Sequence, residues 1–201
     1  MIGRLTIAAL LGAWILGCAS TPARFYTLSA ELPPAAQAPR ISVVVGPVSI
    51  PSDVDRPQMV LKEGPNQVRI DEDNRWAAPL ADAITSVVAE NLAALLGTPR
   101  VTVFPDRIAG DGAYGVTIEV QQFVSEPGSA ATLSAVWTVR RGADGRTETG
   151  RTRVREPVKG SGYEDLAAAH SRALGTLSRQ IADTLEALSA GDSGRSRSRS
   201  L

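Results

Sequence analysis

The side chains of this chain that could do chemistry are few, and their number limits its function. The chain has a single Cys, Cys18, and a single His, His170. One thiol and one imidazole can neither close an internal disulfide nor supply the usual ligands of a zinc site. Ser-His-Asp catalysis would depend on His170 alone, and His170 lies on an apolar helical stripe, which favours a core histidine. We therefore predict a protein that is not an enzyme and that has no metal and no cofactor.

Asp71, Glu72 and Asp73 form an acidic cluster whose carboxylates could hold a hard cation through oxygen ligands. The alternative is a solvated turn that places negative charge ahead of a helix N-terminus, where the helix dipole favours it. The solvated turn is the commoner use of such a cluster, and we predict it here.

Gly110, Gly112 and Gly115 match the spacing of the dinucleotide-binding motif Gly-x-Gly-x-x-Gly. That motif holds a pyrophosphate where it opens a helix, because the helix N-terminus supplies the N–H donors. A strand pattern follows these glycines instead. The segment is therefore predicted to be a loop.

Cys18 ends a segment that is typical of a bacterial lipoprotein signal. Arg4 gives the N-terminus a positive charge, residues 5–16 are apolar, and Gly17 places a small residue before the thiol. The run is shorter than the ~20 residues of a membrane-spanning helix. We predict a signal peptide over residues 1–17 and lipidation of Cys18 as the membrane anchor. A plain secretory signal with an incidental Cys is the alternative.

Residues 18–40, after the anchor, are rich in Pro and small residues and are predicted to be a tether. Ala19 differs from the Asp that commonly retains lipoproteins at the inner membrane, so we expect the periplasmic face of the outer membrane. Residues 25–28 are a β-prone patch that could dock on the edge of the domain. Residues 191–201 alternate Ser with Arg and are predicted to be a disordered tail.

The overall composition favours a protein without a nucleic-acid partner, and we predict none. The 201 residues carry 21 Lys plus Arg and 21 Asp plus Glu, so the formal net charge is zero. Proteins that neutralise phosphates usually carry a basic excess, and aromatic residues at 4% are too sparse for base stacking. With 43% apolar residues, residues 41–190 can bury one packed core.

Hydrophobic periodicity predicts the elements of that core. One apolar stripe of helical spacing runs from Leu80 to Leu96 and ends at Gly97, and a second runs from Tyr163 to Leu188. Strand patterns lie at 41–45, 48–51, 58–62, 67–70, 101–104, 114–124, 133–141 and 146–154. Turn signals join the third pattern to the fourth and the seventh to the eighth, so each of these two pairs is predicted to be a hairpin. We predict a single α+β domain, with a mixed or antiparallel sheet and two main helices on one face.

The chain also carries a series of short motifs in a fixed order. They are Phe-Tyr-Thr-Leu at 25–28, Asp-Arg-Pro-Gln-Met-Val at 55–60, Arg-Trp-Ala-Ala-Pro-Leu at 75–80, Glu-Asn-Leu at 90–92, Tyr114, Trp137 and Gly-Tyr at 162–163. Together they resemble the ABC-type transport auxiliary lipoprotein family, of the PqiC-like type. The resemblance extends over about residues 18–188.

The resemblance implies a periplasmic lipoprotein that works with an MCE-domain protein and inner-membrane transport components. Such systems move lipids between the two membranes and maintain the outer membrane. Two other functions stay open: a shuttle module that itself encloses a phospholipid, and a hydrolase that relies on His170. A shuttle needs an apolar cavity of roughly several hundred Å³, and the chain shows no surplus of residues to line one. A homo-oligomer is compatible with the sequence.

Arg56, Pro57, Gln58, Arg75 and Trp76 are the candidate partner-binding residues, because they belong to the two most specific motifs. Arg56 and Arg75 are long donors beside turns, suited to bidentate pairing with a carboxylate of the same chain or of a partner. Trp76 is suited to fasten the start of the first helix onto the sheet. A structural role is favoured, and a partner-binding role stays open.

Overall fold

The computed structural model describes residues 22–33, 41–105 and 113–198, with side chains described up to residue 190. The predicted signal peptide and Cys18 lie outside the described residues, as do Gly110 and Gly112. Gly115, the last glycine of that motif, belongs to a strand, as the strand pattern predicted.

Eight strands and two helices are assigned within this described part. In chain order they are β1 (Arg24–Tyr26), β2 (Ser42–Ser49), β3 (Gln58–Gly64), β4 (Gln67–Trp76), α1 (Leu80–Leu96), β5 (Val101–Val103), β6 (Ala113–Glu126), β7 (Ala130–Arg141), β8 (Thr147–Pro157) and α2 (Tyr163–Ser198).

The sheet branches at β6, a strand of 14 residues. One side of β6 pairs with β7, which pairs with β8. Two strands share the other side of β6. The first half of β6 pairs with β2, which pairs in turn with β5. Near the end of β6, Ser125 pairs with Leu61 of β3, which is followed in the sheet by β4 and β1. The register shifts between Val120 and Gln122, and such a bulge increases strand twist and helps the sheet to curl.

The two helices lie where the apolar stripes predicted them. α1 packs on β2 and β5, α2 packs on β7 and β8, and the helices pack on each other. The apolar positions of both stripes are buried, except Leu95 and Tyr163, which are partly buried. Gly97 ends α1 with φ at 57°, a left-handed conformation that glycine adopts without steric cost. The predicted single α+β domain, with a mixed sheet and two helices, is confirmed.

The tether predicted over residues 18–40 is in part a strand of the domain. β1 pairs in parallel with β4, Leu28 is buried, and Leu32 lies over Gly175 of α2. The domain therefore includes residues before the predicted boundary at 41. The β-prone patch at residues 25–28 docks on the edge of the domain, as predicted, since β1 pairs with β4. The identity of its partner strand was not predictable, because β4 is remote in the sequence.

The helix α2 continues to Ser198 and so extends into residues 191–201, which were predicted to be a disordered tail. A helix that is already formed adds one backbone hydrogen bond per residue, so it can lengthen without an apolar face. Residues 199–201 lie outside the described part of the chain.

Candidate functional site

The two motifs that contain the candidate partner-binding residues meet at one end of the β3–β4 hairpin. Gln58 pairs with Arg75 across the two strands. The N–H of Trp76 donates a hydrogen bond to the carbonyl oxygen of Pro57 over 2.7 Å. Arg56 directly precedes this pair of strands. We call these five residues, Arg56, Pro57, Gln58, Arg75 and Trp76, the motif corner.

Glu72 connects the polar side chains of the motif corner. Its Oε2 accepts a hydrogen bond from Nε2 of Gln58 at 3.0 Å and lies 3.6 Å from Nη2 of Arg75. Its backbone oxygen accepts a hydrogen bond from Nε of Arg75 at 2.8 Å. The buried Nε of Arg56, in contrast, has no hydrogen-bond partner among the residues that the structure describes. Arg75 is thus satisfied from within the chain, and Arg56 retains an unused donor.

Trp76 is the buried member of the motif corner, with 6% of its surface exposed. The centroid of its ring system is 6.0 Å from that of Phe123 and 6.1 Å from that of His170, both in edge-on arrangements. His170 also stacks on Phe123, with 3.8 Å between the ring centroids. The indole therefore fastens the end of β4 to β6 and α2, and it supports the corner from the core.

Phe25 extends the motif corner, although the sequence analysis did not assign it to the site. It pairs with Arg75 across β1 and β4, so Phe25, Arg75 and Gln58 form one row over three strands and share a face. Phe25 is 64% exposed, whereas Trp76 points inward from the next position of β4. Two adjacent aromatic residues in a strand face opposite sides. The Phe25–Tyr26 pair therefore signalled that one aromatic ring would face away from the core.

The prediction of a solvated turn over residues 71–73 is wrong. These residues lie in β4, and Asp71 is 8% exposed. Its carboxylate accepts hydrogen bonds from Nη1 of Arg69 at 2.8 Å and from the N–H and Nδ2 of Asn74 at 2.9 Å each. The hydroxyl of Tyr163, at the start of α2, donates a further one. Asp71 is buried, while Glu72 and Asp73 stay exposed, because donors from two elements satisfy the Asp71 carboxylate, which a local pattern does not show.

These hydrogen bonds set the charge of Asp71. Burial by itself would raise its pKa, but the donors Tyr163, Asn74 and Arg69 outweigh burial and hold the pKa below its usual range. Burial raises the pKa of Tyr163, and its hydrogen bond to Asp71 raises it further. The carboxylate oxygens are occupied by donors, which argues against the cation site. Within the described ranges, no group of three or more His, Cys, Asp or Glu residues is placed to hold a metal ion.

His170 is a core residue, as predicted. It is fully buried, and its Nε2 lies 2.8 Å from Oγ of Ser125. Burial lowers the pKa of His170 to about 3, so the imidazole is neutral at neutral pH. A buried ring that substrate does not reach is a poor general base. The structure thus weakens the hydrolase hypothesis, which depends on this side chain.

A surface groove with a volume of about 440 Å³ lies between the segment that follows β1 and the first turns of α2. It is lined by Phe25, Tyr26, Thr27, Ser29, Glu31, Glu164, Ala167 and Ala168. Two carboxylates, Glu31 and Glu164, face this space. Acyl chains favour an apolar lining, so the groove is poorly suited to enclose them.

Fold and site together define a single-domain α+β protein whose candidate site is built from paired and packed side chains near a sheet edge. The chain belongs to the family of ABC-type transport auxiliary lipoprotein components, which it matches over residues 26–182. It is accordingly a lipoprotein and an auxiliary component of a transport system, as the resemblance implied. Within the described residues, none of the helices has the length and apolar character to span a membrane.

Solved structures support the fold. An uncharacterized protein of known crystal structure is 19% identical, with a TM-score of 0.68 and coverage of 82% of this chain and 99% of the other. A protein from Xanthomonas campestris is 18% identical, with a TM-score of 0.67 and coverage of 86% and 99%. No curated protein matches the chain significantly.

Proposed function

We propose that this protein is an outer-membrane-anchored, periplasmic subunit of an MCE-type lipid transport system. In this role it docks the MCE-domain protein that connects it with the inner-membrane transport components. Membership of the transport auxiliary lipoprotein family supports the assignment to a transport system. The Cys18 signal supports the anchor, and Ala19 supports sorting to the outer membrane.

The observation that carries the docking role is the row of Phe25, Arg75 and Gln58 on the outer face of the motif corner. Protein interfaces are enriched in aromatic residues and Arg, and their strongest contacts come from a few such anchors. Phe25 is the exposed aromatic anchor of this row. Arg56 adds a guanidinium whose Nε has no acceptor within the described part of the chain. Arg56 is half-buried, and the exposed part of its guanidinium would pair with a partner carboxylate.

Co-purification tests the docking role directly. Under this proposal, an MCE-domain protein from the same cells should be captured by the wild-type lipoprotein and lost with Phe25→Ala combined with Arg56→Ala. Phe104→Ala is the matched control, because Phe104 is 53% exposed but follows β5, away from the corner. Equal capture by the corner variant and the control would contradict the assignment of the corner as the docking surface.

The anchor requires a separate experiment. Cys18→Ser should abolish labelling of the protein with palmitate and release it from the outer-membrane fraction. Labelling that persists in this variant would contradict the assignment of Cys18.

The shuttle alternative predicts a different outcome. Native mass spectrometry of the protein purified from membranes should show the chain without bound phospholipid if it docks a partner. One phospholipid per chain would favour the shuttle over the docking subunit. The carboxylates Glu31 and Glu164 in the groove beside β1 support the first outcome.

A further inference from the structure

Among the residues that the structure describes, the strand β8 forms a long open edge of the sheet. It has 11 residues and pairs with β7 on one side. Edge strands of this length expose unpaired N–H and C=O groups, and they add a further strand unless a bulge or charge of the same sign on that strand prevents it. The register of β7 with β8 shows no shift along its length.

The hydrogen-bond phase of this ladder identifies the outward-facing backbone groups. At one end the N–H of Arg141 donates to the carbonyl of Arg146 at 2.8 Å, and at the other the N–H of Val158 donates to the carbonyl of Ser129 at 3.0 Å. Hydrogen-bonded and non-bonded pairs alternate in an antiparallel ladder. The unbroken register therefore turns the N–H and C=O groups of residues 149, 151, 153 and 155 toward the open edge. Pro157, which has no N–H to lose, shares this phase.

Three of these four residues, Arg151, Arg153 and Arg155, form a row of arginines on the side of the sheet opposite the buried Thr152. Arg155 is paired with Glu126 at 2.9 Å. Arg151 and Arg153 are exposed and form no side-chain hydrogen bond or ion pair with the part of the chain that the structure describes. Their cross-strand neighbours in β7 are Val136 and Ser134, which carry no charge. Two guanidinium groups thus stand unneutralised beside open backbone groups.

We propose that β8 is a docking edge for an extended segment of a partner protein that carries carboxylates at alternate positions. Backbone hydrogen bonds to residues 149–155 would hold the added strand, and its carboxylates would lie directly across from Arg151 and Arg153. A second copy of β8 fits poorly, since antiparallel pairing would set arginine against arginine. An anionic membrane would use the guanidinium groups but not the outward N–H groups. This inference goes beyond the proposed function, because it names a second surface and does not require a lipid transport partner.

Peptide binding to the full lipoprotein in detergent tests this edge. The probe is a nine-residue peptide that alternates Glu with Val and Thr, and the comparison peptides replace Glu by Lys or N-methylate alternate backbone amides. The acidic peptide should bind and shift the amide NMR signals of Thr149, Arg151 and Arg153 more than those of residues 150 and 152. Failure of the acidic peptide to bind, or equal binding of the N-methylated peptide, would overturn the proposal.

Substitutions separate the charge from the backbone contribution. Arg151→Glu with Arg153→Glu should weaken binding of the acidic peptide by about tenfold or more, and raised salt should weaken wild-type binding. The matched control is Arg179→Glu, an exposed arginine of α2 with no side-chain partner in the described ranges, which should leave binding unchanged. Arg151→Gln with Arg153→Gln, a milder pair of changes, serves if the charge reversal does not fold. Unchanged binding in a folded arginine variant would overturn the proposal.

Thr149→Pro tests the backbone edge, because its N–H points away from the ladder and a proline there costs no backbone hydrogen bond between β7 and β8. The substitution removes only the exposed side-chain hydrogen bond between the Oγ1 atoms of Thr149 and Thr138, at 3.1 Å. It should reduce peptide binding while the unfolding midpoint stays close to that of the wild type, and undiminished binding would contradict strand addition.

Vesicles of phosphatidylglycerol and phosphatidylethanolamine provide the last comparison. Binding to them that depends on Arg151 and Arg153, with no binding of the peptide, would assign the arginines to the membrane and overturn the proposal.

Discussion

The edges of the sheet at β1 and at β8 differ in length and in how their charges are balanced. β1 has three residues, and beside it Arg75 is paired with Glu72. β8 has 11 residues, and Arg151 and Arg153 have no partner within the described part of the chain. Near β1, the ion pair of Arg75 leaves Phe25 as the exposed side chain. Near β8, the guanidinium groups of Arg151 and Arg153 are left without a partner in the described residues.

The difference predicts two kinds of contact. A contact centred on Phe25 depends mainly on burial of apolar surface, so raised salt weakens only the part that Arg56 contributes. A contact centred on Arg151 and Arg153 depends on charge and weakens as salt screens it. The salt dependence of binding therefore distinguishes the two edges, and the variants below alter one edge at a time.

The largest effect is expected from Trp76→Ala, which removes the support beneath the motif corner. Truncating a buried Trp typically costs about 3 kcal/mol or more of unfolding free energy, because it leaves a cavity. Chemical denaturation measures this loss. Phe25→Ala, at the exposed side of the same corner, is the control and should change the unfolding free energy by about 0.5 kcal/mol or less. Equal effects of the two variants would show that Trp76 is not a core anchor.

The second effect concerns pH and the ring of His170 beneath the corner. Its pKa is about 3 in the folded chain and near the ordinary 6.5 when unfolded, so the unfolded state binds the proton first. The contribution of neutral His170 is complete above pH 6.5 and is lost progressively between pH 6.5 and about 3. At pH 5 the loss should be about 2 kcal/mol, from the cost of about 1.4 kcal/mol per pH unit.

Denaturation at several pH values measures this dependence. Replacing both partners, His170→Phe with Ser125→Ala, keeps an aromatic ring against Phe123 and removes the titrating group. The stability of this double variant should be nearly flat between pH 6.5 and 5. A slope that stays at the wild-type value would assign the dependence to another group.

A smaller effect is expected from Tyr163→Phe, which removes one donor from the buried Asp71. The carboxylate keeps Arg69 and Asn74, so the expected loss is about 1 kcal/mol. The pKa of Asp71 should rise toward its usual value. The ionised Asp71 stabilises the folded chain above the pKa that this carboxyl has in the unfolded chain. This stabilisation is lost as the pH falls from there toward the lowered pKa of the folded state. Because the variant lowers this pKa less, its acid-induced loss of stability should be smaller. An unchanged pKa by NMR titration would contradict this network.

The smallest effect is expected at β8. Arg151→Ala with Arg153→Ala removes no side-chain hydrogen bond or ion pair within the described chain, so the unfolding free energy should change by about 0.5 kcal/mol or less. At low salt a slight gain is expected, because two neighbouring positive charges are removed. A clear loss of stability would show that these arginines support the fold rather than face a partner.

Much of the fold was predictable because it rests on local patterns. The stripes from Leu80 to Leu96 and from Tyr163 to Leu188 repeat at helical spacing, and the turn at residues 144–145 joins two strand patterns. Such signals depend on neighbours within a few residues. The sequence singled out the five residues of the motif corner by two short motifs, but that these motifs meet across β3 and β4 was seen only in the structure.

Composition and local pattern by themselves determined that this chain is one α+β domain with His170 in its core. Tertiary structure decided the rest: that Phe25 joins the corner through β1, that Asp71 is buried by donors from α2, and which groups of β8 face outward. These features depend on strand register and on which strand ends the sheet. Register and edge position follow from pairing between remote segments, and no local run of residues encodes them.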